Sequence, residues 1–221
     1  METITLKDVQ KNEEVITFLE ISEKQIRILG YTEHSYRHVG LVSKNAGEIL
    51  RDMGFDERTV ELAKIAGYLH DIGNAVNRED HAHSGAILAY NILTKMGMSP
   101  SEAAEVMLAI GNHDENSGTA VSNISAALIL ADKSDVHRGR VNNTDFATFD
   151  IHDRVNYAVE SSKVFVDKEN KTAILELTID TKICPVMDYF EIFLTRMTMS
   201  RRAATYLGLT FQLVINGTRL L

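Results

Sequence analysis

Apolar residues recur at intervals of three and four over most of residues 13–133, the spacing that places them on one face of a helix. Residues that favour helix ends divide this region into segments. Asp56 and Ser99 precede two of the apolar stretches as N-caps, and Gly54 and Gly97 follow two others. We therefore predict helices over residues 13–29, 32–54, 56–71, 83–97 and 99–115.

The later part of the chain is patterned differently. Residues 124–141, which begin ISAALILADK, fit either a strand or a helix, and their alanine content and length favour a helix. Residues 157–167 and 171–180 flank the turn DKENK, and the second of these stretches alternates apolar with polar positions, which is typical of a β-hairpin. Pro185 then opens a further helix, and FQLVINGTRL closes the chain as a strand. Another strand is expected at ETITL, near the start.

These elements predict a mainly α protein. We expect a multi-helix bundle over residues 1–141 and a small C-terminal α+β subdomain, of order β-β-α-β, over residues 142–221. A chain of 221 residues with 44% apolar and 24% charged residues is ordinary for a globular protein. The net charge of −8 disfavours nucleic acid and anionic membranes as partners, because both are bound through clustered Lys and Arg.

The cellular compartment is also constrained. Cys184 is the single cysteine, so an internal disulfide is excluded and a reducing environment is favoured. The N-terminus lacks the basic flank and apolar core of a signal peptide, and no apolar run approaches the ~20 residues of a membrane span. We therefore expect a cytoplasmic protein.

Ligand-type residues stand at the ends of the predicted helices. His70 and Asp71 together place a nitrogen and an oxygen ligand at one point. A single His-Asp pair is more often a surface or capping pair than a metal site. Further candidates stand near other helix ends, where functional residues tend to lie: His38, His81, His83, His113 and Asp132. Imidazole and carboxylate ligands without a thiolate suit one or two divalent ions of Fe, Mn, Ni, Co or Zn.

The motifs around these residues resemble the HD-domain superfamily of metal-dependent phosphohydrolases. RHVGLVSKNAGEILRDMGF resembles the family's first motif, AGYLHDIGN its His-Asp motif and LILADKSD its last motif. DHAHSGA and AIGNHDE resemble the extra histidine motifs of the subfamilies that hold two metals. The metal ligands implied by this resemblance, which covers residues 34 to about 140, are His38, His70, Asp71, His81, His113 and Asp132. His83 is the less favoured substitute for His81.

The resemblance implies a hydrolase for a small phosphorylated, nucleotide-like substrate. Asp71 would bridge two ions and take part in catalysis together with Lys133, and Asp114 would donate a proton. The phosphate would be held by Lys133, Arg138 and Arg140. These three cations fit a solvated basic helix end equally well. Asp114 and His34 also fit the role of hydrogen-bond partners of ligating histidines.

The chain departs from the family pattern in two places. Asn74 stands where many relatives have lysine after the glycine of the His-Asp motif, and the Gly-Tyr-Pro signature of the cyclic-dinucleotide branch is absent. The ligand set resembles that of the dinuclear HD enzymes that cleave dinucleoside polyphosphates.

An alternative interpretation is a non-catalytic HD module that regulates or binds a ligand through its C-terminal subdomain. A complete ligand set favours the enzyme over that module. A homo-oligomer is also expected, because PVMDYFEIFLTRM has apolar residues on more than one helix face and they need burial.

Overall fold

The computed structural model describes residues 3–33 and 35–220. The helices in these ranges are α1 (Leu6–Lys11), α2 (Glu13–Ile28), α3 (Tyr36–Met53), α4 (Glu57–Leu69), α5 (His81–Lys95), α6 (Pro100–Gly111), α7 (Asn123–Lys133), α8 (Ile151–Ala158) and α9 (Val186–Tyr206). Short 3-10 turns follow α4 at Ile72–Ala75 and α7 at Arg138–Arg140. Within the described ranges, no helix is both long and apolar enough to cross a bilayer.

The helix ends follow the local chemistry of the chain. The Asp56 carboxylate accepts hydrogen bonds from two backbone amides in the first turn of α4, and Ser99 caps α6 in the same way. Gly54 ends α3 with a φ of 86°, a left-handed conformation that side chains other than glycine seldom adopt. These predicted helix boundaries are confirmed to within a few residues.

Helix α7 is the centre of the bundle. Every residue from 124 to 133 is buried, and the helix packs against α3, α4, α6 and α9. A helix that is apolar on all sides belongs in a core. Because the apolar run is continuous, it shows no helical periodicity in the sequence. The sequence of this segment therefore fits a strand as well as a helix. The prediction of a helix is confirmed, but the helix ends at Lys133, and residues 134–141 form a loop with a short 3-10 turn instead of continuing it.

The C-terminal region contains a four-stranded mixed sheet. Its strands are β1 (Val159–Asp167), β2 (Thr172–Ile179), β3 (Thr210–Ile215) and β4 (Thr218–Arg219), in that spatial order. β1 pairs antiparallel with β2, β2 pairs parallel with β3, and β3 pairs antiparallel with β4. The parallel pair requires a crossover, and α9 supplies it.

The expected mainly α fold with a C-terminal β-β-α-β unit is confirmed, with three local corrections. Residues 3–5 are not a strand: Thr5 and Asp8 form a capping box that starts α1 instead. Tyr157 and Ala158 belong to α8, which Asp150 caps, rather than to the first strand of the hairpin. The final strand is interrupted by a turn at Asn216 and Gly217, both with positive φ, so that it forms a short β3–β4 hairpin.

The two predicted domains share one core. α9 packs on α7, and β1 packs on α3. Buried residues from both regions, among them Leu128, Leu175 and Phe193, belong to a single hydrophobic cluster. A domain division at residues 141 and 142 stays a prediction.

Candidate metal centre

His38 is buried on α3, and its ring is oriented by an acidic residue that follows α7. Its Nδ1 donates to Oδ2 of Asp135 at 2.7 Å. Asp135 is fixed in turn by Arg37, whose Nη2 lies 2.9 Å from Oδ2, and by Arg140, whose Nε lies 3.7 Å from it. Because Asp135 occupies Nδ1, the Nε2 atom of His38 is left for a ligand.

His70 and Asp71 follow the last turn of α4. Nδ1 of His70 donates to the carbonyl oxygen of Gly67 at 2.9 Å, and Asp71 Oδ1 accepts from the Asn74 amide at 2.9 Å. Gly67 is required for this arrangement. A Cβ on Gly67 would lie 2.7 Å from the Ser43 Cα on α3, so only glycine allows α3 and α4 to approach this closely.

His81 begins α5 and His113 follows the end of α6. Nδ1 of His81 donates to the carbonyl of Arg78 at 3.0 Å, and Nδ1 of His113 donates to the carbonyl of Ile110 at 2.6 Å. A carbonyl oxygen can only accept a hydrogen bond, so in both neutral rings the proton is on Nδ1. Both Nε2 atoms therefore present lone pairs.

The four Nε2 atoms converge with two carboxylates in the interior. The Nε2 atoms of His38 and His70 lie 3.2 Å apart, as do those of His81 and His113. Asp71 stands between the two pairs: its Oδ2 lies 3.4 Å from His70 Nε2, and its Oδ1 lies 3.5 Å from His81 Nε2. Asp132, at the end of α7, places Oδ1 3.4 Å from His38 Nε2.

This donor set fits divalent cations. Ligand atoms within 4.8 Å of one another form three overlapping groups: His38 with His70 and Asp71, Asp71 with His81 and His113, and His70 with His113 and Asp132. Buried lone pairs that face each other are unfavourable unless a cation lies between them. The nitrogen and carboxylate donors suit Fe, Mn, Ni, Co or Zn, as predicted.

Burial and neighbouring charges set the protonation of these side chains. Burial lowers the pKa of His70, but Asp71 and Asp132 outweigh it, so that the pKa of His70 lies above its ordinary value. Burial, with the neighbouring His70 and His81, holds the pKa of His113 well below its ordinary value. The pKa of His81 is also lowered by burial. Because metal ions compete with protons for these nitrogens, the lowered pKa values of His81 and His113 favour metal binding and the raised pKa of His70 opposes it.

A chain of charges connects Asp132 to the C-terminal helix. Lys133 Nζ lies 2.7 Å from Asp132 Oδ2 and 2.6 Å from Glu115 Oε2, and Arg196 Nε on α9 lies 3.3 Å from Glu115 Oε1. Burial would raise the pKa of Asp132, but Lys133, His38 and His70 hold this pKa well below its usual range. Lys133 and Arg196 likewise hold the pKa of Glu115 far below its usual range, against the effect of burial.

The six predicted ligands come together, whereas the other predicted residues lie in varied places. Lys133 is buried against Asp132. Asp114 lines a cavity of about 630 Å³ that also reaches His81. The Arg140 guanidinium is buried and donates to the carbonyls of Glu33 and Asp135. Arg138 pairs with Glu160 at 3.3 Å and stacks on Tyr157. The catalytic roles of Asp71, Lys133 and Asp114, and the phosphate contacts of Lys133, Arg138 and Arg140, stay predictions.

His83 lies apart from these contacts. His83 is half exposed on α5 and pairs with Asp80, so the described structure selects His81. His34, predicted as a possible partner of a ligating histidine, lies outside the described residues.

Several residues around the site are absent from the predicted set. Asp135 is part of LADKSD, and its position three residues after Asp132 is a signal that sequence inspection could have used. Glu115 follows His113 and Asp114 in the same way. Arg78 and Arg196 carry no such signal, because they reach the cavities only through the folding of the loop before α5 and of α9.

Comparison with known proteins places these residues in a family. The HD domain matches residues 35–191 of the chain. An uncharacterized protein of Methanocaldococcus jannaschii is 31% identical over 153 residues, which are 59% of this chain and 58% of that protein. Ribonuclease Y of Lawsonia intracellularis is 35% identical over 129 residues, which are 54% of this chain and 22% of that protein. The chain therefore spans 58% and 22% of the lengths of these two relatives.

A solved structure is also similar. The predicted HD superfamily hydrolase from an uncultured Thermotogales bacterium is 28% identical, with a TM-score of 0.45, and the similarity covers 61% of this chain and 75% of that one. The family match spans more than half of the chain and includes all six converging side chains. The chain therefore belongs to the HD-domain family.

Proposed function

We propose that the protein is a metal-dependent phosphohydrolase that cleaves a phosphate ester or anhydride of a small, nucleotide-like substrate. The observation that best supports this is the convergence of four Nε2 lone pairs and two carboxylates in the interior. Each ring's other nitrogen is occupied by a backbone carbonyl or by Asp135. A site held this rigidly is organised before its ligand binds.

The side chains divide into two sets that share Asp71. His38, His70, Asp71 and Asp132 would hold one ion, and Asp71, His81 and His113 would hold a second, with a different Asp71 oxygen near each set. Bound there, divalent ions lower the pKa of water toward neutrality and neutralise charge on phosphoryl oxygens.

The remaining polar residues would bind the substrate and move protons. Lys133 keeps Asp132 ionised, since its buried ammonium lies 2.7 Å from the carboxylate. Asp114 lines the cavity above His81 and would donate a proton to the leaving oxygen. Arg78 lines the same cavity, and its guanidinium fits a phosphate better than an ammonium group does. The complete ligand set supports an enzyme rather than a purely regulatory HD module.

The test compares two histidines two residues apart on one helix. His81→Ala should lower the number of bound metal ions and reduce phosphate release more than about 100-fold. Even the loss of a hydrogen-bond partner of a metal ligand lowers metal affinity or activity about 10–100-fold, and His81 is a proposed ligand itself. His83→Ala, at a half-exposed position, is the matched control and should change neither. Metal would be counted by mass spectrometry, and phosphate release measured on a panel of nucleotides. A His81→Ala variant with full metal content and full activity would refute the proposal.

A further inference from the structure

A second, smaller cavity adjoins the metal centre. It has a volume of about 170 Å³ and is lined by residues of the helical bundle and of helices α8 and α9. Tyr31, Arg78 and Glu115 line both this cavity and the larger one that reaches His81. The two cavities are therefore neighbours that share part of their walls.

Arg196 is the main cation that α9 contributes to this cavity. Its side chain is 15% exposed, its Nε is paired with Glu115 at 3.3 Å, and its guanidinium lies 4.9 Å above the Phe193 ring. The terminal nitrogens make no hydrogen bond within residues 3–33 and 35–220, and Arg196 lines the cavity. They face accessible space rather than being sealed in the interior, so a ligand that supplies oxygen atoms can accept hydrogen bonds from them.

Arg78 faces the same space from the loop before α5. Its guanidinium donates to the Asn74 side chain at 3.1 Å and lies 5.7 Å from the centre of the Tyr31 ring. No carboxylate of the described residues lies within ion-pairing distance of Arg78. Asn74 also donates to Asp71, so this contact positions Arg78 next to the metal ligands.

The charge in the small cavity is positive on balance. Glu115 is its acidic lining residue, and that carboxylate is already shared by Lys133 and Arg196. Arg140 is compensated by Asp135, which leaves Arg78 and part of the charge of Arg196 uncompensated. A half-enclosed cavity with two arginines and little opposing charge suits a phosphate group, which an arginine can contact with two parallel hydrogen bonds.

We propose that Arg78 and Arg196 form a second phosphate subsite, which holds a non-reacting phosphate while another phosphate of the same molecule lies at the metal centre. This rests on the proposed function and narrows it: the substrate is a small molecule with linked phosphate groups, such as a nucleoside diphosphate or triphosphate. Helix α9 thereby gives the C-terminal α+β unit a role in substrate binding. The acidic net charge of −8 favours a small molecule over a nucleic acid.

The experiment measures binding of non-hydrolysable probes to the full chain loaded with Mn²⁺, by isothermal titration calorimetry in excess Mn²⁺. The probes are methylphosphonate, methylenediphosphonate and bis(methylene)triphosphonate, which carry one, two and three phosphonates. At least one linked probe should bind about 10-fold or more tightly than methylphosphonate, the gain expected of one charge-assisted hydrogen bond. Metal content measured afterwards shows whether the probes have stripped the site.

Variants on the two sides of the cavity test the assignment. Arg196→Gln and Arg78→Gln should each remove most of this gain in affinity, taken as the ratio of linked-probe to methylphosphonate binding. Arg196→Gln should leave methylphosphonate binding itself unchanged. Arg202→Gln, at an exposed position of the same helix as Arg196, is the matched control and should keep the gain. Arg78 lies on a loop, so its variant remains informative even where the buried Arg196→Gln fails to fold.

The outcomes separate this proposal from the hydrolase itself. The subsite proposal would be overturned if the unmodified chain bound no linked probe more tightly than methylphosphonate, or if both glutamine variants kept the tighter binding. Either result would count against the subsite even if nucleotides are hydrolysed. Loss of the tighter linked-probe binding in the variants would support the subsite even if no nucleotide releases phosphate. In that case only the proposed hydrolase function would be refuted. Tighter, Arg196-dependent binding of a 5′-phosphorylated dinucleotide than of every phosphonate probe would overturn the small-molecule assignment.

Discussion

The chemistry of the site depends on which nitrogen of each histidine carries the proton. In His70, His81 and His113 the nearest backbone carbonyl accepts from Nδ1, and in His38 the Asp135 carboxylate does so. A backbone carbonyl belongs to the main chain, so no side-chain substitution removes it. The carboxylate belongs to a side chain, so the His38 orientation is the one that a single substitution can disturb.

Asp135→Asn should lower metal affinity about 10–100-fold, the usual effect of losing the partner that orients a ligating histidine. It should also destabilise the fold by about 3–5 kcal/mol, because Arg140 stays buried without its carboxylate. Metal titration and urea unfolding measure the two effects. Asp52→Asn, on an exposed position of α3, should change neither. Unchanged metal affinity in Asp135→Asn would contradict this account of His38.

Close contacts between helices bring the ligands together. Gly67 on α4 allows α3 to approach, and Gly73 allows the start of α5 to pass the turn after Asp71. A Cβ at Gly73 would lie 1.9 Å from the His81 carbonyl oxygen, which is backbone and cannot rotate away. The spacing between the histidines is therefore set in part by glycines, which have no side chain to act as a metal ligand.

Gly67→Ala should push α3 and α4 apart, since its Cβ would lie 2.7 Å from Ser43 Cα. We expect a loss of about 1–3 kcal/mol in the free energy of unfolding, together with weaker metal binding because His38 and His70 separate. Gly40→Ala is the matched control on α3: nothing lies within 4 Å of its Cβ, and it should stabilise the helix by about 0.5–1 kcal/mol. Equal thermal stability in the two variants would contradict the packing argument.

Helix prediction worked well here for a physical reason. Ser35, Asp56 and Ser99 cap the starts of α3, α4 and α6, and Gly54 ends α3, because such signals act within one turn of the chain. The strand expected at ETITL was wrong because the Thr5–Asp8 capping box, also a local signal, was overlooked. The six converging side chains could be predicted because their motifs occur together in the sequence, whereas no motif contains Arg78 or Arg196.

Across the protein, a core built around α7 ties the metal centre to the C-terminal unit through Lys133, Glu115 and Arg196. Stability and metal binding should therefore be coupled. The predicted homo-oligomer is untested: Met187 and Leu194 on α9 are 72% and 61% exposed, and light scattering would give the oligomeric state.

Metal loading should raise thermal stability. A ligand that binds only the folded state stabilises it by about 2.7 kcal/mol at a concentration 100 times its Kd. We expect the midpoint of thermal unfolding to rise with added Mn²⁺ and to fall on chelation. The rise should be smaller in His81→Ala and unchanged in His83→Ala. A midpoint of thermal unfolding that changes neither with added Mn²⁺ nor with a chelator would contradict metal binding at this centre.

Acid should weaken the fold through the buried carboxylates. Arg140, His38 and Arg37 outweigh burial and hold the pKa of Asp135 far below its usual range. The unfolded chain therefore takes up protons first, near pH 4, and the stabilisation is lost as the pH falls below that value. In metal-free protein, the difference in unfolding free energy between the unmodified chain and Asp135→Asn should shrink from pH 6 to pH 3. If this free-energy difference grew as the pH fell, the prediction would be contradicted.

The amino-acid sequence was enough to specify most of the helices, several of their ends, the C-terminal β-β-α-β order and the six ligand-type side chains, since each is encoded within a short stretch. Folding alone established the rest. The Nε2 atoms of His38 and His70, 32 residues apart in the chain, lie 3.2 Å from each other. Arg196 shares Glu115 with Lys133 across 81 residues. Distances of this kind arise from packing between remote helices, which no local pattern encodes.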